Sequence, residues 1–185
     1  MDEKKVKGTM LIDLVRMIRL NKDKDWNKHL KPEDWDIINS LILPTKWYPL
    51  DFFSRCGLAT FNVLAEGKLE LSRFNGRMTA KTLFTNTYKS VVDSKDPMKG
   101  LTQFVTIYGA FFNFSSLKLE KLDKNHAKIH HDYDAGDQSN LAYAHQLMGM
   151  LDTLIEMNGA KNPKITLSAK QWEGAPATTF DITWA

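Results

Sequence analysis

The sequence predicts an α+β fold in which N-terminal helices pack on a small antiparallel sheet, and three observations in the C-terminal half carry that prediction. Leu117 and Leu119 alternate with Lys118 and Glu120, Asp123-Lys124-Asn125 supplies turn chemistry, and Ala127, Ile129, His131 and Tyr133 alternate again, the pattern of a half-buried hairpin. Leu141, Ala144, Met148, Leu151 and Ile155 then recur at helical spacing between Asn140 and Asn158, where Gly159 ends the run. Residues 164–170 and 178–184 form two more short β runs around the turn Glu173-Gly174-Ala175-Pro176. The result is a β-β-α-β-β unit whose sheet has one face to bury, with the 140–158 helix as its cover.

The chain before this unit reads as helices. Leu11, Leu14, Val15 and Ile18 line one face of residues 10–20 while Asp13, Arg16 and Arg19 take the other, with Thr9 placed to cap. A charged connection anchored by Trp26 follows, and Pro32 opens a short helix carrying Trp35, Ile38, Leu41 and Ile42 that stops at Pro44. Residues 45–50 are extended, because a residue before proline is pushed out of the helical region. Pro49 then starts a helix with Phe52, Phe53, Cys56, Ala59, Val63 and Leu64 on one stripe, ended by Gly67. Residues 69–90 read as two helical pieces broken at the turn signal Asn75-Gly76. Asp96-Pro97 is a cap and first-turn proline, and Met98, Leu101, Val105, Tyr108 and Phe112 continue at helical spacing toward the hairpin.

Composition narrows the function classes. With 185 residues and 43% hydrophobic content the chain supports one well-buried core, and residues 1–185 read as a single domain. A net charge of +3, with cations dispersed among acids, points away from nucleic acid. The single Cys56 forms no internal disulfide and fits a reducing compartment. Asp13, Arg16 and Arg19 interrupt the first apolar run well short of a signal sequence or membrane span, so the expectation is a cytoplasmic protein.

Helices followed by a hairpin, a helix and a final strand pair resemble the fold group of heme-NO-binding domains, 4-vinyl-reductase domains and vesicle-tethering TRAPP subunits. Trp47-Tyr48-Pro49-Leu50 opening a helix, Asn75-Gly76-Arg77, and the ending Phe180-Asp181-Ile182-Thr183-Trp184 also resemble an uncharacterised paralogous family described from myxobacteria, over residues 8–184. The resemblance implies that fold, and it implies what heme binding would need. Heme-NO-binding domains ligate iron with a His on the helix before the hairpin, whereas residues 97–114 contain none. They hold the propionates with Tyr-x-Ser-x-Arg at the hairpin end, whereas here Tyr133 is followed by Ala135 and Asp137 in place of the Ser and Arg. The phenol-sensing relatives place several cysteines near the C-terminus, and no Cys follows Cys56. No cofactor and no metal site is therefore expected.

The histidines and acids give no competing site. His126 and His130 share a strand face but lie roughly 13 Å apart, too far for one ion, and His131 points to the other face as a core histidine or a group titrating near neutrality. Residues 132–137 bring acids together, yet Gly136 precedes the third acid and Tyr143 stands where a calcium loop closes with Glu, so the stretch reads as a capped turn. No phosphate loop, nucleophile elbow or zinc helix is present, and no catalytic residue is assigned. Two features remain. Trp47, Tyr48, Phe52, Phe104, Tyr108, Phe112 and His131 are numerous enough to line a pocket between helices and sheet, or to fill a core. The 140–158 helix also carries Tyr143, Leu147, Met150 and Leu154 beyond its core stripe, so either the N-terminal helices wrap its second side or that side meets a partner. The expectation is a non-catalytic regulatory or adaptor module, a homodimer or a binder of another protein, with a sensor for a small apolar or aromatic ligand as the alternative.

Overall fold

The computed structural model describes residues 3–114, 116–133 and 135–185, with Asp137 in its backbone alone. Four C-terminal strands, β3 (Ser116–Asp123), β4 (His126–Asp132), β5 (Lys164–Ala169) and β6 (Thr178–Thr183), form an antiparallel sheet in the order β3-β4-β6-β5. The register places Leu119, Ile129, Phe180 and Leu167 in one row across it, with Leu117, His131 and Thr178 in a neighbouring row. This row-by-row alternation is the reason for one buried face and one polar face. In the β3–β4 turn the Asn125 amide donates to Asp123 Oδ1 at 2.8 Å.

Helix α7 (Asp137–Met157) follows β4, and α6 (Pro97–Tyr108) precedes β3. Asp96 caps α6 as expected, accepting from the amides of Met98 (2.9 Å) and Lys99 (3.2 Å). The helix ends at Tyr108 rather than running on to Phe112. The cause is a short N-terminal strand, β1 (Lys5–Lys7), which takes over the backbone of the next residues. Lys7 N–H donates to Phe111 O (2.8 Å), Lys5 N–H to Asn113 Oδ1 (2.6 Å), and Phe112 bridges to Val6. β1 also pairs antiparallel with β2 (Trp47–Pro49), the stretch expected to be extended.

Three further expectations need correction. Lys7, not Thr9, occupies the N-cap of α1 (Gly8–Leu20), and the Thr9 hydroxyl donates to Pro44 O at 3.1 Å. The second helix, α2 (Asp34–Asn39), stops well before Pro44. Pro44 has no N–H for the Ser40 carbonyl, and the Arg19 guanidinium takes both that carbonyl and the Ile38 carbonyl, leaving Leu41 78% exposed on a loop. Residues 69–86 form one helix, α4 (Leu69–Asn86), not two pieces. Gly76 lies in its middle, where a Cβ would stand 1.8 Å from the Gln146 carbonyl oxygen of α7. The glycine is there for close approach of a second helix, a need that local sequence does not display.

Helix α3 (Leu50–Val63) and the short α5 (Ser90–Asp93) complete the chain. Asp34 on α2 is buried and bridged to Arg55 on α3 by contacts of 2.7 and 2.9 Å. Burial alone would raise that carboxyl, but the Arg55 bonds and the Lys31 amide overcome it and hold it below its ordinary value. Cys56 is buried in the same helix, and burial pushes its thiol far above the ordinary range, as fits inert packing.

Candidate functional site

The main core narrows to a cluster of rings between α6, β4 and α7. Tyr108 sits on the last turn of α6 and aims at β4 because α6 lies on β3, so its hydroxyl oxygen comes 2.7 Å from His131 Nε2. Tyr133, just beyond β4, stacks on Tyr143 of α7 with centroids 4.7 Å apart and on His131 at 5.2 Å. The Tyr108 hydroxyl also lies 3.4 Å from that of Tyr143. Phe112 closes the cluster edge-on against Tyr143 (6.0 Å) and Tyr133 (5.8 Å), and Phe104 and Phe53 back it from α6 and α3. These edge and offset geometries are the favourable ones for rings.

Electrostatics follow from burial. His131 is 2% exposed, and desolvation lowers its pKa to about 3, so the imidazole is neutral near neutral pH. It is a hydrogen-bonded core histidine, not a group titrating near neutrality. Burial, with the neighbouring phenol of Tyr143, pushes Tyr133 well above the usual tyrosine value, and burial with Tyr108 does the same for Tyr143. The centre therefore joins the hydroxyls of Tyr108 and Tyr143 to one neutral imidazole, with the Tyr133 ring stacked against it.

Of the seven residues expected to line a pocket, Phe104, Tyr108, Phe112 and His131 come together, but they fill the space instead of lining it. Phe52 is buried on α3, Trp47 packs under Lys7 Nζ 4.0 Å from its ring centroid, and Tyr48 accepts the Leu43 amide at 3.0 Å in the β1–β2 sheet. Sequence reasoning missed Tyr133 as a member, and it placed Tyr143 on a surface. That surface is also corrected: Tyr143, Leu147, Met150 and Leu154 are all buried, because α3, α4, α5, α6 and the sheet enclose α7 on every side. The alternative in which N-terminal helices wrap it is the one seen.

Beside the cluster, α3, α4 and α7 leave a cavity of about 40 Å³ bordered by Phe53, Ser54, Phe61, Tyr133 and Tyr143. Ser54 Oγ is buried on its wall without a hydrogen bond of normal length, yet near enough to Tyr133 to oppose in part the effect of burial on that phenol. The volume suits a few waters, since organic ligands occupy sites of roughly 300 Å³ upward.

A heme does not fit these residues. An axial donor is needed, and α6 offers neither His nor Cys; its Tyr108 hydroxyl and the neighbouring His131 imidazole engage each other, and Met98 lies at the far end of the helix from them. A porphyrin would also have to displace the stacked rings of Tyr133, Tyr143 and His131. Among the described residues no three of His, Cys, Asp and Glu gather to hold a metal ion. The acids read as a capped turn include Asp134 and the Asp137 side chain, which lie outside the described residues. His126 and His130 stand on the polar sheet face, paired with Asp181 and Glu120 at 2.9 Å each.

The fold is that of heme-NO-binding domains. An H-NOX protein from S. oneidensis in the Fe(II)NO ligation state superposes with a TM-score of 0.69 at 12% identity, covering 97% of this chain and 99% of that one. A Fe(II) unliganded H-NOX protein from K. algicida gives 0.66 at 12% identity, covering 97% and 96%. At such identity the likeness is one of fold. Among curated proteins none matches the chain. A family model described as protein of unknown function (DUF2378) matches residues 39–185.

Proposed function

From the premise that this chain belongs to the family described as protein of unknown function (DUF2378), we propose that it is a non-catalytic regulatory module of heme-NO-binding-like fold that works without heme and through contact with protein partners. The observation that carries this reading is the ring cluster. Tyr108, Phe112, His131, Tyr133 and Tyr143 occupy the space between α6, the hairpin and α7 with side chains in mutual contact. A core so packed has no room for a prosthetic group, and its one imidazole is neutral and bonded inside the protein. Regulation in a module of this kind resides on its surface. The same packing disfavours the sensor reading, for which the cavity of about 40 Å³ beside the rings and the groove of about 100 Å³ between α1 and α4 are both too small. No described helix is long and apolar enough to cross a membrane. The buried single cysteine fits a cytoplasmic setting.

The test is spectroscopic. Titrating the purified chain with hemin, and separately with ferrous heme, gives no stoichiometric Soret band, and phenol, benzene and indole give no saturable rise in Tm. One equivalent of bound heme overturns the heme-free reading, and a saturable rise with any of the three aromatics restores the sensor.

A further inference from the structure

Among the described residues the large exposed apolar side chains fall in ones and twos on the other elements and loops, and α4 is the exception. On α4, Leu71, Phe74 and Met78 stand at i, i+3 and i+7 on the side away from α7, Phe74 being 55% and Met78 51% exposed. The opposite side of this helix is fixed rigidly by Gly76 and by Arg73, whose guanidinium holds Asp152 of α7 at 2.7 and 2.8 Å. The stripe is thus a straight, preorganised ridge, with Thr82 and Thr85 continuing it toward the C-terminus.

We propose that this ridge is the contact between two copies of the chain, packed α4 against α4 in antiparallel fashion about a two-fold axis passing beside Gly76. The charges on the ridge select this occupant. Glu70 and Lys81 flank the stripe on the same side, eleven positions apart, and neither has an ion-pair partner among the described residues. A two-fold axis reversing the helix keeps each flank on its own side. It therefore sets Glu70 of one copy beside the partner's Lys81, twice, while Phe74 lies on the partner's Met78 and Leu71 on the partner's Thr82. Near the axis itself the basic groups are Arg73 and Arg77, and both turn toward α7, where Asp152 and Glu156 bind them. Among the charges of α4 itself no like pair is brought together, and beside the ridge Arg16 of α1 is paired with Asp13 at 3.1 Å. Antiparallel α4 dipoles are favourable too. The ridge thus matches its own copy in shape and sign, as an isologous interface requires.

This pairing rests on the reading of the chain as an interaction module and names one surface for it. Sedimentation equilibrium of the full chain tests it, with circular dichroism and Tm recorded on each variant. The expected result is a dimer whose dissociation constant rises at least about tenfold in Phe74→Glu and about threefold in Glu70→Lys, returning toward the wild-type value in the Glu70→Lys/Lys81→Glu double variant. Phe74 and Glu70 are exposed, so folding is retained in both. A wild-type chain that stays monomeric at high concentration overturns the pairing, as does a dimer indifferent to Phe74→Glu or a double variant no tighter than the single one. The heme titration is read on a separate signal, so failure of the pairing leaves the heme-free reading intact.

Discussion

Helix α7 is enclosed by opposite means on its two sides. Against α4 the backbones themselves touch: a Cβ on Gly149 would meet the Arg73 carbonyl oxygen at 1.9 Å, and one on Gly76 the Gln146 carbonyl oxygen at 1.8 Å. Against α6 and β4 the backbones stand apart, and the rings of Tyr108, His131, Tyr133 and Tyr143 fill the gap. The first arrangement tolerates no added atom, while the second is sensitive to loss of an atom, above all a polar one. Both leave little space beside α7.

Adding atoms at the crossing is the strongest way to break this picture. Gly149→Val drives a branched side chain into the Arg73 carbonyl and the Arg77 amide, backbone groups inside α4 that cannot turn away. A loss of at least about 3 kcal/mol in urea unfolding is expected. Near-native stability would mean the helices cross less closely than described. Removing an anchor of the same crossing comes next. Asp152 is almost wholly buried and binds Arg73 through both oxygens, with Arg77 at 3.3 Å, so Asp152→Ala strands the Arg73 guanidinium, while Arg77 keeps Glu156 at 2.6 Å, and costs about 2 kcal/mol. Loss below 1 kcal/mol would reduce the contact to an ordinary surface ion pair.

On the ring side the sensitive change is subtraction. Tyr108→Phe keeps the ring but takes the oxygen from His131 Nε2, for an expected loss of about 1–2 kcal/mol. His131→Phe in the same chain should recover part of it, since the imidazole that lost the phenol is then removed as well. The same histidine sets a pH dependence. Its pKa of about 3 in the folded chain lies below the ordinary 6.5, so between these values the unfolded chain binds a proton that the folded chain does not. Stability from this group is complete above pH 6.5 and falls as the pH drops toward 3, by up to about 1.4 kcal/mol per pH unit. Comparing His131→Phe with the wild-type chain isolates this contribution; identical acid profiles for the two would place His131 in water.

The ring side was largely legible in the sequence and the crossing was not. Alternation in the hairpin put His131 on the face of Ile129 and Tyr133, and helical spacing put Tyr108 and Phe112 near them. The reading failed where two distant segments decide together. Asn75-Gly76 carries the local signature of a turn, and only the Gln146 backbone, seventy positions on, makes Gly76 a helix-interior residue. Tyr143, Leu147, Met150 and Leu154 left α7 with more apolar surface than one sheet face covers, which correctly demanded a second cover. The order of residues favoured the N-terminal helices over a partner but did not single out α4, because α4 looked broken. The end of α6 was lost for a similar reason, since β1 is three residues long and shows no strand pattern of its own.

The gentlest prediction sharpens the comparison by reversing its sign. Gly57 lies in the interior of α3 with ordinary helical geometry, and a Cβ placed there meets nothing within 4 Å. Its glycine serves no close approach, so Gly57→Ala restricts the unfolded chain and improves helix propensity at no steric cost, raising stability by about 0.5–1 kcal/mol. Gly76→Ala makes the same chemical change in α4 and should destabilise, because there the methyl group meets a carbonyl oxygen at 1.8 Å. Urea unfolding of the two variants side by side decides the matter. If both shift in the same direction, glycine in this chain is answering to helix propensity, and the backbone contact between α4 and α7 does not govern how the protein is closed.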